Sequence, residues 1–327
     1  MTSFASHPAL RGYWHVVTRS SAVGDAPVGV RLLGEDLVVW RAGDGRLGAA
    51  RDRCPHRESP LSPGLVKGGC IECPYHGWTY DVSGACVLIP SSGAGAPVPP
   101  KARLATVHAT ERYGLVWLCI DDPVAGIPEI SQDADGSFRR INFDIDTWQT
   151  AATRMVDNFL DITHFPYVHQ GSFGSAAQLE VPHFELGDLG DWYGYRYSVT
   201  AANPAAGTAA SGQATATVQR HMSSGFALPF AVRSTIEYET GLQHVLLLLS
   251  TPRDDETSYF TFVVWRNDDF SVPAEDVTRL DRLIEAEDKR MLERVRGTLP
   301  LDNTALVSVQ ADKASVEWRR QLRALLA

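Results

Sequence analysis

The chain has 327 residues, of which 44% are hydrophobic and 21% are charged, and its formal net charge is −9. These values are typical of a soluble globular protein that is long enough for two domains. The acidic balance argues against nucleic-acid binding, and the longest aliphatic run, "VLLLLS", is too short to cross a bilayer. Because the N-terminus lacks the pattern of a signal peptide, we expect a cytoplasmic protein.

Residues 1–122 are predicted to form an all-β domain. The stretch "VGVRLLGEDLVVWRAGDGRLGAARDRC" alternates apolar and polar residues between turn signals, and "GDGR" within it predicts a hairpin turn. Further along, "YGLVWLCI" has the composition of a buried strand. The Pro-, Gly- and Asp-rich segment "DDPVAGIPEISQDADG" follows, so we place the domain boundary there and assign residues 123–327 to a second domain.

The second domain is predicted to be α+β. A helix is expected from Thr150 to about Phe165, where Pro166 ends it. Strands follow between residues 180 and 270, and the small-residue stretch "ANPAAGTAASGQ" among them is predicted to be a loop. A long helix from about Pro273 to Arg296 and a C-terminal helix complete the domain, so strands in succession have helices at both ends.

Two short motifs in the first domain each combine a cysteine with a histidine. Cys54 and His56 lie in "CPHRESP", and Cys73 and His76 lie in "CPYHGWTY". Thiolate and imidazole are ligands of both structural zinc and iron–sulfur centres. A zinc finger usually pairs Cys with Cys and His with His, whereas here each pair is mixed and lies in a Pro/Gly-rich loop. A structural zinc site is therefore the less favoured alternative.

The start of the second domain carries another candidate metal site in "RMVDNFLDITHFPYVHQGSFG". On a continuous helix Asp157, Asp161 and His164 would share one face, because they are spaced i, i+4 and i+7. His169 would point away from them, but Pro166 allows the chain to turn and bring it back. Two histidines that still need a carboxylate predict a 2-His-1-carboxylate iron(II) site, and the alternative is ordinary polar residues at a helix end.

The missing carboxylate is expected on the long helix near the C-terminus. In "VTRLDRLIEAEDKRMLERV" an apolar stripe with 3/4 spacing includes Ile284 and Met291. Asp288 continues that stripe, and Glu287 lies almost as close to it on the other side. Periodicity alone leaves both acids open, and either one would also be explained as a solvated acid at the edge of the stripe.

These motifs, in this order, resemble those of the Rieske non-haem iron oxygenases over the whole chain. The resemblance rests on "CPHR", "CPYHGWTYDVSG", the "DNxxDxxHxxxxH" pattern and "AEDKRMLE". It implies a Rieske [2Fe–2S] cluster with Cys54 and Cys73 on one iron and His56 and His76 on the other. It also implies an all-β Rieske domain followed by a helix-grip, START-like α+β catalytic domain.

The same resemblance implies roles for the second group of residues. His164, His169 and Asp288 are implied to bind a mononuclear Fe(II), because in this family the Asp directly before the basic residue is the ligand. Asn158 would lie beside the iron as a weak ligand at most. Asp161 is implied to bridge His164 to the cluster-binding histidine of a neighbouring subunit.

The chain is most similar to the vanillate and dicamba O-demethylase group, whose oxygenases are homotrimers, so a homotrimer is expected. The resemblance implies a terminal oxygenase that receives electrons from NAD(P)H through a separate reductase, directly or by way of a ferredoxin. The absence of a GxGxxG fingerprint agrees with a separate reductase.

The implied reaction is the mono-oxygenation of a small aromatic or cyclic substrate. One atom of O2 enters the substrate and the other leaves as water, and the hydroxylated carbon of an O-methyl or N-methyl group then departs as formaldehyde. Ring hydroxylation or cis-dihydroxylation is the alternative within the enzyme class. An electron carrier fused to a ligand-binding module, without oxygen chemistry, is an alternative outside it.

The substrate pocket is expected among the strands of the second domain. Each candidate is explained at least as well as an ordinary residue of the hydrophobic core as it is by contact with the substrate. The candidates are His221, Phe226, Ile236, His244 and Trp265.

Overall fold

The computed structural model of the chain describes five stretches: residues 4–93, 95–170, 172–175, 179–302 and 304–327. The chain divides into two compact units. The first ends at Ile127 and includes Thr251–Asp254, and the second comprises Pro128–Ser250 and Asp255–Ala327. The division falls within the predicted boundary segment, at residue 127 rather than 122.

The described residues of the first unit are built from short antiparallel strands. They form three sheets, with the orders β1-β10-β9, β2-β3-β4 and β5-β6-β7-β8. The predicted "GDGR" turn joins β3 to β4, as expected. The strands are β1 (His15–Arg19), β2 (Val28–Leu32), β3 (Glu35–Arg41), β4 (Leu47–Arg51), β5 (Leu65–Lys67), β6 (Cys70–Glu72), β7 (Thr79–Tyr80), β8 (Cys86–Leu88), β9 (His108–Arg112) and β10 (Leu115–Cys119).

A hydrophobic core lies beneath the two Cys/His loops of this unit. Trp40, Ile71 and Tyr80 are fully buried in it, and the cysteines Cys54 and Cys73 belong to the same cluster. The core therefore fixes the base of each loop and leaves the loop tips at the surface.

An eight-stranded sheet dominates the second unit. Its order is β11-β18-β17-β16-β15-β14-β13, and β12 pairs with β18. The strands are β11 (Arg139–Asn142), β12 (Asp146–Trp148), β13 (Leu186–Asp188), β14 (Tyr193–Ala202), β15 (Thr217–Ala227), β16 (Ala231–Tyr238), β17 (Gln243–Pro252) and β18 (Ser258–Arg266). The helices are α1 (Ala152–Phe159), α2 (Phe165–Val168), α3 (Ala205–Ser211), α4 (Ala274–Val277), α5 (Arg279–Leu292) and α6 (Lys313–Leu325).

Helices α1 and α5 pack on the sheet through a single apolar cluster. Met155 of α1 and Leu292 of α5 meet Phe260 and Phe262 of β18 in this cluster. This is the expected α+β arrangement. No helix in the described part of the chain is long and apolar enough to cross a membrane.

The predicted helix from Thr150 to Phe165 is wrong in its extent. Helix α1 ends at Phe159, and α2 begins at Phe165 after a turn. The hydroxyl of Tyr195 donates to the Leu160 carbonyl at 3.0 Å, which fixes the turn from outside the helix. Pro166 lies in the first turn of α2, where its missing N–H costs nothing, so it starts a helix rather than ending one.

Two further predictions of local structure need correction. The stretch predicted as a loop at 202–213 contains helix α3, which is followed by Gly212 in the left-handed conformation that glycine tolerates. The long helix predicted from Pro273 is divided at Thr278 into α4 and α5. The small residues of 202–213 do not show a helical pattern of apolar residues, so α3 was not predicted. No proline or glycine marks the division at Thr278, so it was not predicted either.

Candidate metal centres and substrate cavity

Two closed turns present the cysteine and histidine side chains of the first unit. The first turn follows β4, and the N–H of Cys54 donates to the Ser59 carbonyl at 2.9 Å. The second joins β6 to β7, and the N–H of Cys73 donates to the Trp78 carbonyl at 2.8 Å. Each cysteine therefore stands at the base of a turn that carries its histidine.

The cysteines are buried and the histidines lie nearer the surface. Cys54 and Cys73 are 1% and 2% exposed, whereas His56 is half-buried and His76 is exposed. The centres of the two imidazole rings are 4.5 Å apart, and Trp78 stacks on His56 at the same distance. The structure thus brings the four predicted residues together.

Two properties of this group fit a metal centre. Burial raises the pKa of Cys54, whose Sγ lies 3.2 Å from the Tyr80 hydroxyl, and a metal is what stabilises a thiolate in such a place. The Nδ1 of His56 is buried without a hydrogen-bond partner in the described chain, a condition that a metal–nitrogen bond relieves. This donor set suits a Rieske [2Fe–2S] cluster.

Three side chains converge on one point in the second unit. The Nε2 atoms of His164 and His169 are 3.2 Å apart, and Asp288 Oδ1 lies 3.5 Å from the first and 3.4 Å from the second. Ligands bound to one metal ion at about 2.0–2.2 Å and near right angles are separated by roughly 3 Å. The spacing therefore fits three ligands on one face of a single ion.

Carboxylates hold both imidazoles from the side away from this point. His164 Nδ1 donates to Asp161 Oδ2 at 3.0 Å, and His169 Nδ1 donates to Glu287 Oε2 at 2.9 Å. Ser172 Oγ donates to the same oxygen of Glu287 at 2.7 Å. Because the proton is held on Nδ1, each ring keeps the lone pair of Nε2 for a metal.

The two adjacent acids that periodicity left open have different surroundings. Asp288 Oδ1 faces the histidines and accepts a hydrogen bond from Asn158 Nδ2 at 3.1 Å, while Glu287 is bound to the far side of His169. Burial raises the pKa of Asp288 and lowers the pKa of His169. Each shift is toward the neutral form, which for His169 is the form that binds a metal, while a bound cation would favour the ionised carboxylate of Asp288.

The turn after α1 sets the position of His164. Asp161 Oδ1 accepts from the Thr163 N–H at 2.8 Å and from its hydroxyl at 2.7 Å. Burial alone would raise the pKa of Asp161, but hydrogen bonds from His164 and Thr163 outweigh it and lower that pKa. Asp157, predicted on the same face, instead lies 3.4 Å from Arg319, because the helix ends before the turn.

A cavity adjoins the three converging side chains, which form part of its wall. The rest of the wall is mainly apolar and comes from α1 and the sheet, including Phe159, Met222, Leu246, Leu248 and Phe260. The polar side chains of the wall include Asn158, Arg220, Ser234, Asp281 and Glu285. A concave apolar wall with a few polar groups is the usual form of a small-molecule site.

Of the predicted pocket residues, Ile236 lines this cavity. His244 is buried behind the wall, where its Nε2 lies 3.3 Å from Oδ1 of the lining residue Asp281. His221 is exposed on the opposite face of β15 and bonds Ser198 at 2.8 Å.

Phe226 and Trp265 also lie away from the cavity lining. Phe226, at the end of β15, packs against Tyr193 with ring centres 5.9 Å apart. Trp265 alternates with the lining residue Phe262 on β18, and its Nε1 donates to Asp133 at 2.9 Å. Because successive strand residues face opposite sides, its position on β18 directs it away from the cavity.

Arg220 is a lining residue that the sequence analysis missed. Val218, Arg220 and Met222 alternate along β15 and are all buried. The alternation along this strand places a charged residue on its apolar face, and this pattern could have identified Arg220 from the sequence.

Two family models match the chain. The Rieske [2Fe–2S] domain matches residues 13–107, and the vanillate O-demethylase oxygenase C-terminal domain matches residues 148–327, which is more than half of the chain. The chain belongs to the Rieske non-haem iron oxygenases. The expectation of a Rieske domain followed by an α+β oxygenase domain is thereby confirmed.

Similar Rieske oxygenases include demethylases. Methylxanthine N1-demethylase NdmA of Pseudomonas putida is 33% identical over 97% of this chain and 89% of its own length. Its structure with caffeine has a TM-score of 0.86 at 30% identity and covers 98% of this chain and 92% of that one. The dicamba O-demethylase oxygenase component of Stenotrophomonas maltophilia is 31% identical over 50% of this chain and 49% of its own.

Membership of the Rieske oxygenases confirms the expected class of enzyme and its cofactors. These enzymes use a [2Fe–2S] cluster, a mononuclear iron, O2 and electrons that a reductase supplies. The protein is therefore a Rieske non-haem iron monooxygenase that acts on a small-molecule substrate with a reductase as partner.

Proposed function

We propose that this protein is the terminal oxygenase of a system that removes an O-methyl or N-methyl group from a small aromatic or cyclic substrate. The observation that carries the proposal is the convergence of His164, His169 and Asp288 on the wall of a mainly apolar cavity. Support comes from relatives whose names describe N-demethylation of methylxanthines and O-demethylation of dicamba.

We assign the cluster to the two turns of the first unit. Cys54 and Cys73 hold one iron, and His56 and His76 hold the other. The burial of the cysteines and the surface position of His76 support this division, because the iron that exchanges electrons with another protein should lie near the surface.

We assign the mononuclear iron to His164, His169 and Asp288. Asn158, which donates to Asp288, orients that carboxylate and is a weak ligand at most. When bound, the two iron centres supply the electron transfer and the O2 activation that oxidise a substrate C–H bond. The residues of the chain supply the rest of the site.

Those residues bind the substrate and orient the ligands. The rings of Phe159 and Phe260 and the side chain of Leu246 provide an apolar surface that holds an aromatic ring and excludes water. Asp161 and Glu287 hold protons at the Nδ1 atoms of their histidines, which keeps the Nε2 atoms directed at one point.

We further propose a homotrimer in which Asp161 connects His164 to His76 of the partner subunit. The side chain of Asp161 is 21% exposed beside His164, so one side of it is open to a neighbour. A ferredoxin between the reductase and the cluster, and a cytoplasmic location close to the nicotinamide donor, complete the proposal.

Formaldehyde release tests the demethylase function. The iron-loaded protein, supplied with NADH and a surrogate reductase, should release formaldehyde from a member of a panel of aryl methyl ethers and N-methyl heterocycles. His164→Ala should keep the visible spectrum of the cluster and release none. Products that gain oxygen and retain their methyl group would instead support ring hydroxylation.

A further inference from the structure

Arg220 is a buried cation on the wall of the substrate cavity. It is 3% exposed and shares the inward face of β15 with Met222. In the register of the sheet it lies between Val199 of β14 and Tyr238 of β16. A charged group at this depth is costly unless an opposite charge or hydrogen bonds compensate for it.

One edge of the Arg220 guanidinium has no partner in the described part of the chain. Its Nε and Nη2 atoms are buried and make no hydrogen bond there. The guanidinium carbon instead lies over two aromatic rings, 5.2 Å from the centre of Phe173 and 6.0 Å from that of Tyr238. Such faces stabilise the charge, but they leave the hydrogen-bond donors of this edge unused.

The charged network behind the cavity is already balanced. Asp281 lies 3.3 Å from His244, which contacts Arg266. Arg266 and Arg139 both bind Asp268, at 2.9 and 2.7 Å. The network therefore contains two arginines and two aspartates, whose formal charges cancel.

The acids of the cavity wall do not supply the missing charge. Asp288 belongs to the proposed iron site, and burial, with the charge of Asp146 adding to it, raises the pKa of Glu285 to about 7. Oδ2 of Asp281 is buried without a hydrogen-bond partner in the described residues, so it does not reach Arg220 in this arrangement.

The unpaired edge has the geometry that binds a carboxylate. Nε and Nη2 lie on the same side of the planar guanidinium, and other arginines of this protein, Arg11 and Arg320 among them, use that edge. Arg11 holds both oxygens of Asp121 at 2.8 and 2.9 Å, and Arg320 holds both oxygens of Glu317 at 2.8 and 2.7 Å. The two coplanar oxygens of a carboxylate match this fork, whereas a single carbonyl oxygen does not.

Arg220 is close enough to the iron site for one small molecule to reach both. Phe173 stacks on His169 with ring centres 5.0 Å apart, and the guanidinium carbon lies 5.2 Å from the same Phe173 ring. The cation is therefore no more than about 10 Å from the His169 ring. Both residues line one cavity, so a ligand that fills it lies beside both of them.

We propose that Arg220 binds a carboxylate of the substrate, so that the enzyme selects small aromatic acids and presents their methyl-bearing substituent to the iron site. This inference rests on the proposed demethylase function and names the substrate class that this function leaves open. Arg220 is thus a specificity-determining residue, and the chemistry remains with the iron site.

Binding of acids and their matched amides tests the proposal without turnover. The affinities of 3- and 4-methoxybenzoate for the iron-loaded protein are measured by calorimetry without O2 or reductant, beside those of 3- and 4-methoxybenzamide. At least one acid should bind about ten-fold or more tightly than its amide, the effect of hydrogen bonds to a charged group. Equal affinities, tighter binding of the amides, or no binding of either acid would overturn the proposal.

Substitutions then test whether the preference for the acid over its amide depends on Arg220. Arg220→Gln should reduce the preference for the acid to less than two-fold, and Arg220→Lys, which keeps the charge but loses the fork, should give an intermediate value. Arg196→Gln, on the exposed face of β14, is the matched control and should keep the full preference. A preference that survives in folded Arg220→Gln contradicts the assignment. If that variant does not fold, the acid and amide affinities of the unsubstituted protein decide.

Formaldehyde release separates this inference from the function on which it rests. Demethylation of neutral substrates, together with equal affinities of the unsubstituted protein for the acids and their amides, would support the demethylase and overturn the carboxylate site. Tight, Arg220-dependent binding of an acid without any release of formaldehyde would support the site and contradict demethylation.

Discussion

Two adjacent acids on α5 reach opposite sides of the same imidazole. Asp288 Oδ1 lies 3.4 Å from His169 Nε2, and Glu287 Oε2 lies 2.9 Å from His169 Nδ1. One acid is therefore placed to share an ion with the ring, and the other is placed to orient it. Only the first should be essential for holding the metal.

Substitution of these acids distinguishes the two roles. Asp288→Ala should lose the mononuclear iron and all turnover, because a ligand is removed, while the visible spectrum of the cluster persists. Glu287→Gln keeps an oxygen that accepts from His169, so it should retain the iron with an affinity lower by about 10–100-fold. Iron per chain after dialysis against a chelator measures both effects. Loss of this iron from Glu287→Ala, together with retention in Asp288→Ala, would reverse the assignment.

A third acid predicts a pH dependence of stability. Burial raises the pKa of Asp157 to about 6, although Arg319 lies 3.4 Å away. The folded protein therefore binds this proton more tightly than the unfolded chain does, and stability is lost as the pH rises from about 4 to about 7. Relative to Asp157→Asn, the free energy of unfolding should fall by at most about 3 kcal/mol.

Thermal unfolding of the iron-loaded proteins at pH 5 and pH 7.5 measures this loss. The melting temperature of the unsubstituted protein should fall relative to that of Asp157→Asn as the pH rises. Glu275→Gln, at an exposed acid, is the control. A difference between the two proteins that stays constant with pH would show that Asp157 is ionised throughout this range.

The residue types of the site could be predicted from the sequence better than their contacts. The spacing of His164 and His169 pointed to a metal site, but the choice between Asp288 and Glu287 depended on which of them faces the histidines. That contact joins α5 to a segment more than a hundred residues earlier in the chain, and helical periodicity does not contain it. Most of the predicted pocket residues do not line the cavity for a similar reason. Which face of the sheet a strand residue occupies depends on the register with neighbouring strands.

At the scale of secondary-structure elements, the iron site depends on a break between two helices. Leu160 to His164 form the turn between α1 and α2, and Tyr195 of β14 donates to the Leu160 carbonyl at 3.0 Å. A continuous helix, as the sequence suggested, would have directed His169 away from His164. Strands occupy the region between residues 180 and 270 in which they were predicted, since their alternation is local, whereas β11 and β12 were not predicted. The break between the helices depends on a distant strand.

A glycine behind α2 tests how closely this element is held. A Cβ at Gly174 would lie 2.2 Å from the Phe165 carbonyl oxygen and 2.9 Å from the carbonyl of His169. Gly174→Ala should therefore displace α2 and reduce the affinity for the mononuclear iron by ten-fold or more, while the cluster in the first unit remains. Gly187→Ala on β13, where a Cβ meets nothing within 4 Å, is the control. Full iron content and activity in Gly174→Ala would show that α2 shifts without moving His169.

At the scale of the whole molecule, the two candidate iron centres lie in different compact units. His76 belongs to the first unit, and His164 and Asp161 belong to the second. Asp161 is a charged, mostly buried carboxylate that already binds His164, and its exposed side is available to one more donor. The proposed trimer uses that side for His76 of the partner subunit, so that each iron site receives electrons from the next chain in a closed ring.

Asp161→Asn tests this connection within the assembled protein. The amide oxygen still accepts a hydrogen bond, so both metals should bind and the trimer should form, but most of the electron transfer to the mononuclear iron should be lost. Rapid-mixing spectroscopy of the reduced cluster with O2 and substrate measures that transfer. Thr163→Val, which removes one hydroxyl bond to Asp161 and leaves its charge, is the matched control and should retain most of the rate.

Mixed trimers give the decisive prediction about the assembly. A His76→Ala chain has an iron site but no competent cluster, and a His164→Ala chain has a cluster but no competent iron site, so each variant alone is inactive. If electrons pass between subunits, a mixed ring contains contacts in which an intact cluster faces an intact iron site, and part of the activity should return after subunit exchange. The exchange itself is followed by mass spectrometry of differently tagged chains. A mixture that exchanges and remains inactive, or a strictly monomeric protein with full activity, would remove the inter-subunit route and leave each chain to reduce its own iron.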